Sequence, residues 1–433
     1  MPFENAAPAR RKIAIIGAGI TGLGAAWRLS NEHDVTLYEA EPRLGGHART
    51  IMAGKNGDQP VDTGFIVFNY ANYPNLADLF EALDVPVAKS NMSFGASVRG
   101  GKMEYGLDGA PAFFAQKRNA ISPKFWGMLR DIFRFNANAT QLAAANEDLT
   151  IGEFLDRMGM GVWFRDYYLL PLTGAIWSTP TEKILDFPAH AMIRFMKNHA
   201  LLNYSGQHQW YTVAGGSRSY VERMESALRM RGVRMRLGAP IAGVRRKATC
   251  VELRAEGAEW EIYDHVVFAT HGDDSLKMLS DASPQEQAAL GAVTYQANDV
   301  VLHCDTAVMP KRRAVWSSWN YAEAPARREG QIDITYWMNS LQPIPMDDLH
   351  FVTLNSERPI REELTYDQTV LRHPVYDLEM LQAQDKVRAF NGTQNTWFCG
   401  AWLRNGFHED GLATGLEVAD AILAQNKMVV AAE

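Results

Sequence analysis

Cysteine is scarce: Cys250, Cys304 and Cys399 are the only three in 433 residues. An odd number without metal-ligand spacing argues against a disulfide framework or a zinc site and fits a reducing compartment, so a cytoplasmic protein without a bound metal is expected. Long apolar runs are missing as well. No segment approaches the ~20 uninterrupted apolar residues that span a bilayer. Met1 to Arg11 is polar, and the apolar stretch after it is broken by glycines, so neither a membrane span nor a signal peptide is expected. Positive charge is not in excess: 43 Lys plus Arg against 50 Asp plus Glu leave −7, which makes nucleic acid an unexpected partner. Repeats and low-complexity tracts are absent too. What remains is 47% hydrophobic and 21% charged residues, an ordinary globular balance in a chain long enough for two domains.

Three stretches carry nucleotide-binding texture. Lys12 to Ile16 reads as a buried parallel strand, Ile20 to Ser30 as a helix, and Val35 to Glu39 as a second strand, together one βαβ unit. A helix over Ser217 to Met230 leads into a strand-rich stretch from Val233 to Thr270, and Thr396 to Ile422 reads as strand, glycine-bearing loop and final helix. Between them lie two blocks rich in aromatics and methionine, Pro86 to Ser205 and Gly291 to Asp385. The expected organisation is one discontinuous nucleotide-binding domain (1–85, 206–290 and 386–426), interrupted twice by a substrate domain (86–205 and 291–385).

Gly17-Ala18-Gly19-Ile20-Thr21-Gly22 follows the first strand and opens the first helix. There the glycines serve a tight turn, close approach of a pyrophosphate and close helix packing, and the helix N-terminus supplies amide donors. Glu39 ends the second strand about twenty residues on, where a carboxylate accepts hydrogen bonds from a ribose. A dinucleotide is therefore expected.

The residues that follow narrow the dinucleotide. Glu39-Ala40-Glu41-Pro42-Arg43-Leu44-Gly45-Gly46-His47 resembles the signature of the flavin-containing amine oxidase superfamily, in which an acid is followed by Arg, a spacer and a Gly pair. Val213-Ala214-Gly215-Gly216 resembles its middle glycine pair, Pro240-Ile241 its adenine-side strand, and Trp397 to Gly400 with Gly406 to Gly415 its closing motif. The resemblance implies an α/β fold: a Rossmann-type FAD-binding domain with a second α+β substrate domain. It implies FAD contacts from Gly17, Gly19, Ile20, Thr21, Gly22, Glu39, Ala40, Arg43, Gly45, Gly46, His47, Ile241, Gly400, Phe407, His408 and Glu409. Asp62-Thr63-Gly64-Phe65 resembles the turn that reaches the isoalloxazine, which adds Thr63, Gly64 and Phe65. With one phosphate-binding fingerprint, the substrate itself is expected to donate electrons, and dioxygen or another acceptor to reoxidise the flavin.

The chain also departs from that family. Amine-oxidising members generally carry a Lys on a substrate-domain strand, whereas His303-Cys304-Asp305 has none and Lys311 lies a few residues later. Phe407 stands where many have Tyr, and His47 replaces a second Arg. No Cys occupies the loop from which some relatives attach flavin, so FAD is expected to be non-covalent, with Cys399 a small buried residue.

Ser318-Trp319-Asn320-Tyr321, Thr335-Tyr336-Trp337-Met338-Asn339, His373-Pro374-Val375 and Gly406 to Gly411 resemble a bacterial subfamily associated with cyclopropane-fatty-acid-synthase-like methyltransferases. That subfamily includes acyl-chain desaturases of furan fatty acid synthesis. The resemblance implies a methylated unsaturated acyl chain, free or on a phospholipid, as substrate. Trp316, Trp319, Tyr336, Trp337 and Phe407 are expected to line an apolar cavity, and a shared aromatic core accounts for them equally. His408, Glu409 and His373 are the candidates for proton transfer, with helix capping or cofactor contact the alternative for Glu409 and a structural role for the two histidines. Lys124 to Phe135 reads as a basic amphipathic helix that either meets a lipid interface at the inner face of a membrane or packs on the substrate domain. An amine oxidase, and a non-redox flavin isomerase or a degenerate FAD binder, stand as the alternative activities.

Overall fold

A computed structural model of the chain describes residues 10–145, 148–203, 206–324 and 332–432; residues 1–9 of the polar start and the boundary residue Ser205 lie outside them. Lys12–Ile16 and Asp34–Tyr38 form strands joined by the helix Ile20–Leu29, which Ser30 closes. Both strands are buried after their first residue because helices cover the sheet, which is why they read as apolar runs without alternation. They belong to a five-stranded sheet in the order Arg234–Arg236, Asp34–Tyr38, Lys12–Ile16, His265–Phe268, Thr396–Phe398, with every pairing parallel.

The helix Ile20–Leu29 packs on His408–Ala432 at close range. Small residues permit it: a Cβ at Gly24 would strike Leu412, and one at Gly415 would strike the Thr21 carbonyl. Ile13, Ile15, Leu23, Leu37, Tyr220, Met224, Val267 and Ile422 fill the core beneath these helices.

A second, seven-stranded sheet runs Thr365–Pro374, Tyr295–His303, Phe351–Leu354, Asp333–Trp337, Trp319–Ala322, Phe94–Val98, Met103–Gly106. Its pairings are antiparallel except that of Trp319–Ala322 with Phe94–Val98. The helices Pro123–Ala144, Leu170–Trp177 and Ala189–Asn198 share one apolar core with this sheet. The segment read as helical over Lys124 to Phe135 is thus the front of a 22-residue helix, started by Pro123 and capped by the Ser122 hydroxyl, which accepts from the Phe125 N–H. Phe125, Met128, Ile132 and Phe135 are buried, while Trp126 and Phe133 are each 49% exposed. Among the described residues no helix is long and apolar enough to cross a membrane.

Candidate functional site

The carboxyl ends of the parallel strands open on a cavity of about 1010 Å³ that continues beneath the seven-stranded sheet and the helix Pro123–Ala144. At its floor the first strand ends in Gly17, whose φ of +97° suits glycine and whose N–H donates to the Tyr38 carbonyl at 2.8 Å. A Cβ there would lie 2.6 Å from the Ala269 carbonyl oxygen. Gly19 differs: its Cβ would meet nothing nearer than the Gly46 Cα at 4.0 Å, so it would project into open cavity. Gly19 caps the helix Ile20–Leu29 and no side chain satisfies the first amides, leaving a donor-lined, electropositive rim. Gly45 donates to the Ala18 carbonyl at 2.8 Å, which lays the second glycine pair against this turn. The Glu39 carboxylate accepts from Ala18 N at 2.8 Å and Glu41 N at 2.9 Å, and it too lines the cavity.

Ile20, Thr21, Ala40, Gly45, Gly46, His47, Ile241 and Gly400 join Gly17, Gly19 and Glu39 on this wall. Two expected contacts do not. Gly22 faces the turn, where a Cβ would strike the Gly17 carbonyl, so it serves helix packing. Arg43 turns back on its own loop and donates to the carbonyls of Gly46 at 2.9 Å and Ala48 at 3.3 Å. It shapes the glycine pair instead of reaching the cavity.

Thr63, Gly64 and Phe65 form the next part of the wall. Phe65 stacks on His408 with ring centroids 3.9 Å apart, and His408 Nε2 lies 2.7 Å from the Tyr220 hydroxyl. Burial, with His47 nearby, pushes the His408 pKa down to about 3, so the ring is neutral at physiological pH. Burial, with His47 and His271, does the same to His373, also to about 3. His47, His271, His373 and His408 all line the cavity, the His47 ring 5.6 Å from His373 and 6.1 Å from His271.

Glu409 is a correction. Its carboxylate accepts from Asn75 N (3.1 Å), Asn75 Nδ2 (2.6 Å) and Leu76 N (3.0 Å), and so caps the helix Pro74–Ala82. Its side chain is taken up by these three donors and is off the cavity wall. Trp316 and Trp337 are corrected too. Neighbours on a strand face opposite ways, so with Tyr336 on the wall the half-buried Trp337 lies on the other face of the sheet. Trp316 packs edge-on against it, centroids 5.6 Å apart, and donates from Nε1 to the Pro310 carbonyl.

Trp319, Tyr336 and Phe407 do line the cavity, and Phe407 stacks on Phe195 at 4.8 Å. Beyond them come Phe113, Leu129, Ile132, Phe133, Leu172 and Ile176. Sequence reading missed that apolar arm because its residues lie on helices whose periodicity looks like ordinary core. It also missed His271 and Tyr295, stacked at 4.2 Å just past the strand His265–Phe268. Asp273 and Asp274 beside them are engaged by Arg372 and Lys277, so protein cations already meet their charge. The buried Asn136 Oδ1 and Tyr376 hydroxyl, on cavity-lining residues, have no hydrogen-bond partner among the described residues.

Among the described residues no lysine or cysteine lines the cavity. Lys311 donates to the Gly100 carbonyl at the surface, and His303 is buried against Thr353. Cys399 is fully buried with its thiol pKa pushed up by desolvation.

Protoporphyrinogen oxidase 2, chloroplastic/mitochondrial, of Arabidopsis thaliana is 42% identical over 43 residues, 10% of this chain and 8% of that protein. The aligned segments cover no more than 10% of the length of the curated relatives. The fold matches the CLA-producing fatty acid isomerase from P. acnes with a TM-score of 0.67 and 16% identity over 95% of this chain and 98% of that one. It matches cyclohexylamine oxidase from Brevibacterium oxydans IH-35A with a TM-score of 0.65 and 14% identity over 97% of this chain and 100% of that one. The family model for flavin containing amine oxidoreductase matches residues 20–328, most of the chain, so the protein belongs to that flavin-dependent family.

Proposed function

We propose that this flavin oxidoreductase holds FAD without a covalent bond and introduces a carbon–carbon double bond into an apolar substrate, a methylated unsaturated fatty acyl chain. The observation that carries the reading is the cavity wall itself: it runs without a break from the Gly17–Gly19 turn to Leu129, Phe133, Leu172 and Ile176, and among the described residues no lysine interrupts it.

The residues present fit the cofactor. The uncapped start of Ile20–Leu29, opened by Gly19, suits the diphosphate. The Glu39 carboxylate suits a ribose, and Ile241 the adenine side. Gly64 is shaped by contact, since a Cβ there would strike the His47 carbonyl, and Thr63 and Phe65 flank it. With no cysteine on the wall, attachment through sulfur has no partner among the described residues.

When bound, flavin supplies an acceptor for a hydride and its two electrons. The protein then has to align one carbon–hydrogen bond and take up one proton. Trp319, Tyr336 and Phe407 form the apolar walls that orient the chain and exclude water. His408 is assigned the proton, with its Nε2 2.7 Å from the Tyr220 hydroxyl. Burial keeps its ring neutral at physiological pH.

Phe133 is half exposed and also lines the cavity, so it stands at a mouth. Ile121 and Trp126 are exposed on the approach to it, with Lys124, Arg130 and Arg134 exposed on the same helix. This surface suits peripheral contact with an anionic bilayer, from which an acyl chain enters.

Anaerobic mixing of the yellow holoprotein with methylated unsaturated phospholipid or its free acid is expected to bleach the oxidised flavin band. Bleaching by primary or secondary amines and by no such lipid, with peroxide released in air, would establish an amine oxidase instead. A protein that stays colourless after FAD addition would be a degenerate binder.

A further inference from the structure

His373 lies on the strand Thr365–Pro374, opposite Gln296 on Tyr295–His303, with its ring on the cavity wall. Its Nδ1 is 2.9 Å from the side-chain nitrogen of Asn298. Imidazole and carboxamide orientations are ambiguous in isolation, but here backbone groups anchor the series. The backbone N–H of Asp299 donates to Asn355 Oδ1 at 2.9 Å, which makes the other terminal atom of Asn355 its NH2. That NH2 donates to the Ile332 carbonyl at 3.3 Å and to Asn298 Oδ1 at 2.7 Å. The NH2 of Asn298 is thereby committed as a donor, to the Gln296 carbonyl at 3.3 Å and to His373 Nδ1. Nδ1 therefore carries its lone pair toward Asn298, and the neutral ring keeps its proton on Nε2.

The surroundings hold that form in place. Asn298 and Asn355 are buried, so water does not replace either link. A second proton at Nδ1 would set donor against donor at Asn298. The charged and titratable groups nearby add to this: the His47 ring faces His373, His271 stands beyond it, and Arg372 is drawn to Asp273 and Asp274. Nε2 has no hydrogen-bond partner among the described residues and is not a sealed-off buried atom.

We propose that His373 is a hydrogen-bond donor of fixed tautomer, presenting Nε2–H to the occupant of the cavity, and that Asn298 and Asn355 are its positioning residues. An uncharged donor in a dry wall suits a carbonyl or pyridine-type nitrogen acceptor and stabilises negative charge developing there. It is not a proton acceptor, because its one lone pair is spent on Asn298. This assignment does not rest on the acyl-chain reading.

The experiment is nitrogen NMR of the holoprotein labelled at the histidine rings, with His373→Gln identifying the signals. The expected result is a pyridine-type Nδ1 and a pyrrole-type Nε2 that stay unchanged from pH 6 to 8, with the Nε2 signal differing between flavin-bound and flavin-free protein. Asn298→Asp replaces the donor by an acceptor of equal size, and is expected to move the proton to Nδ1 or make the ring cationic. A pyrrole-type Nδ1 in the unmodified protein would overturn the proposal, as would an Asn298→Asp spectrum identical to it. An Nε2 signal indifferent to flavin and to added lipid substrate would equally overturn it. The unmodified spectrum decides the tautomer even if the variants do not fold.

Discussion

Gly19 and Gly17 show how differently two glycines of one motif act. At Gly17 the backbone itself demands glycine, because φ is +97° and the Ala269 carbonyl closes the space. At Gly19 the backbone is ordinary and the space is open, so only an occupant of the cavity would object to a side chain. Gly19→Leu is therefore expected to leave the fold intact and weaken flavin binding more than about tenfold, which is about 1.4 kcal/mol. Flavin titration by fluorescence checks this, and undiminished affinity would remove the helix mouth from the cofactor site. Glu39 was legible for the same reason as these glycines, since its place follows from strand and spacing alone. Glu409 was not: it adjoins His408 in sequence, yet its partners Asn75 and Leu76 are more than 300 positions away.

The helix Pro123–Ala144 carries two faces that sequence periodicity presents together. Phe125, Met128, Ile132 and Phe135 fall on the buried side, and burying such side chains contributes about 1.5–3 kcal/mol each. Trp126 and Phe133 remain half exposed beside Arg130 and Arg134, a surface that suits the proposed contact with an apolar, anionic bilayer. Replacing Trp126 and Phe133 together by Ser is expected to reduce co-sedimentation with anionic phospholipid vesicles by about tenfold or more while changing the melting temperature little. Equal sedimentation of the variant would eliminate this helix as the membrane contact. The strand Asp333–Trp337 offers a contrast. Its alternation was available in the sequence, and applying it would have separated Tyr336 from Trp337; which of the two faces the cavity depends on the sheet it joins.

At the scale of the whole molecule, the buried histidines set the response to acid. Burial lowers His265, His271 and His303 to about 4, and His373 and His408 to about 3, from 6.5. Their contribution to stability is complete above pH 6.5 and is lost as the pH falls toward the folded values, because the unfolded chain takes up the protons first. Asp62 and Asp410 run the other way. Burial raises each from 3.8 to about 6, in Asp62 despite bonds from Thr50, Ser217 and Gln342, so they cost stability as the pH rises through that interval. Asp333 is raised by burial as well, so between pH 6.5 and 4.5 these five imidazoles oppose three carboxyls, each group worth at most about 1.4 kcal/mol per pH unit. The imidazoles prevail. The urea midpoint is expected to fall between pH 7 and pH 5, and a midpoint that rises over that range would show these rings to be solvated.

The sequence by itself determined the βαβ unit, its glycine turn and the acid at the end of its second strand, because each depends on contacts within forty residues and on rigid local geometry. It also determined the scarcity of cysteine and the lack of a long apolar span. Only the tertiary structure decided which aromatics face the cavity, that Arg43 and Glu409 support neighbouring backbone, and that His373 is held in one tautomer. Those outcomes rest on pairings between distant strands and helices. A side chain's role there is set by the polar group opposite it, and residue type and spacing do not encode that partner.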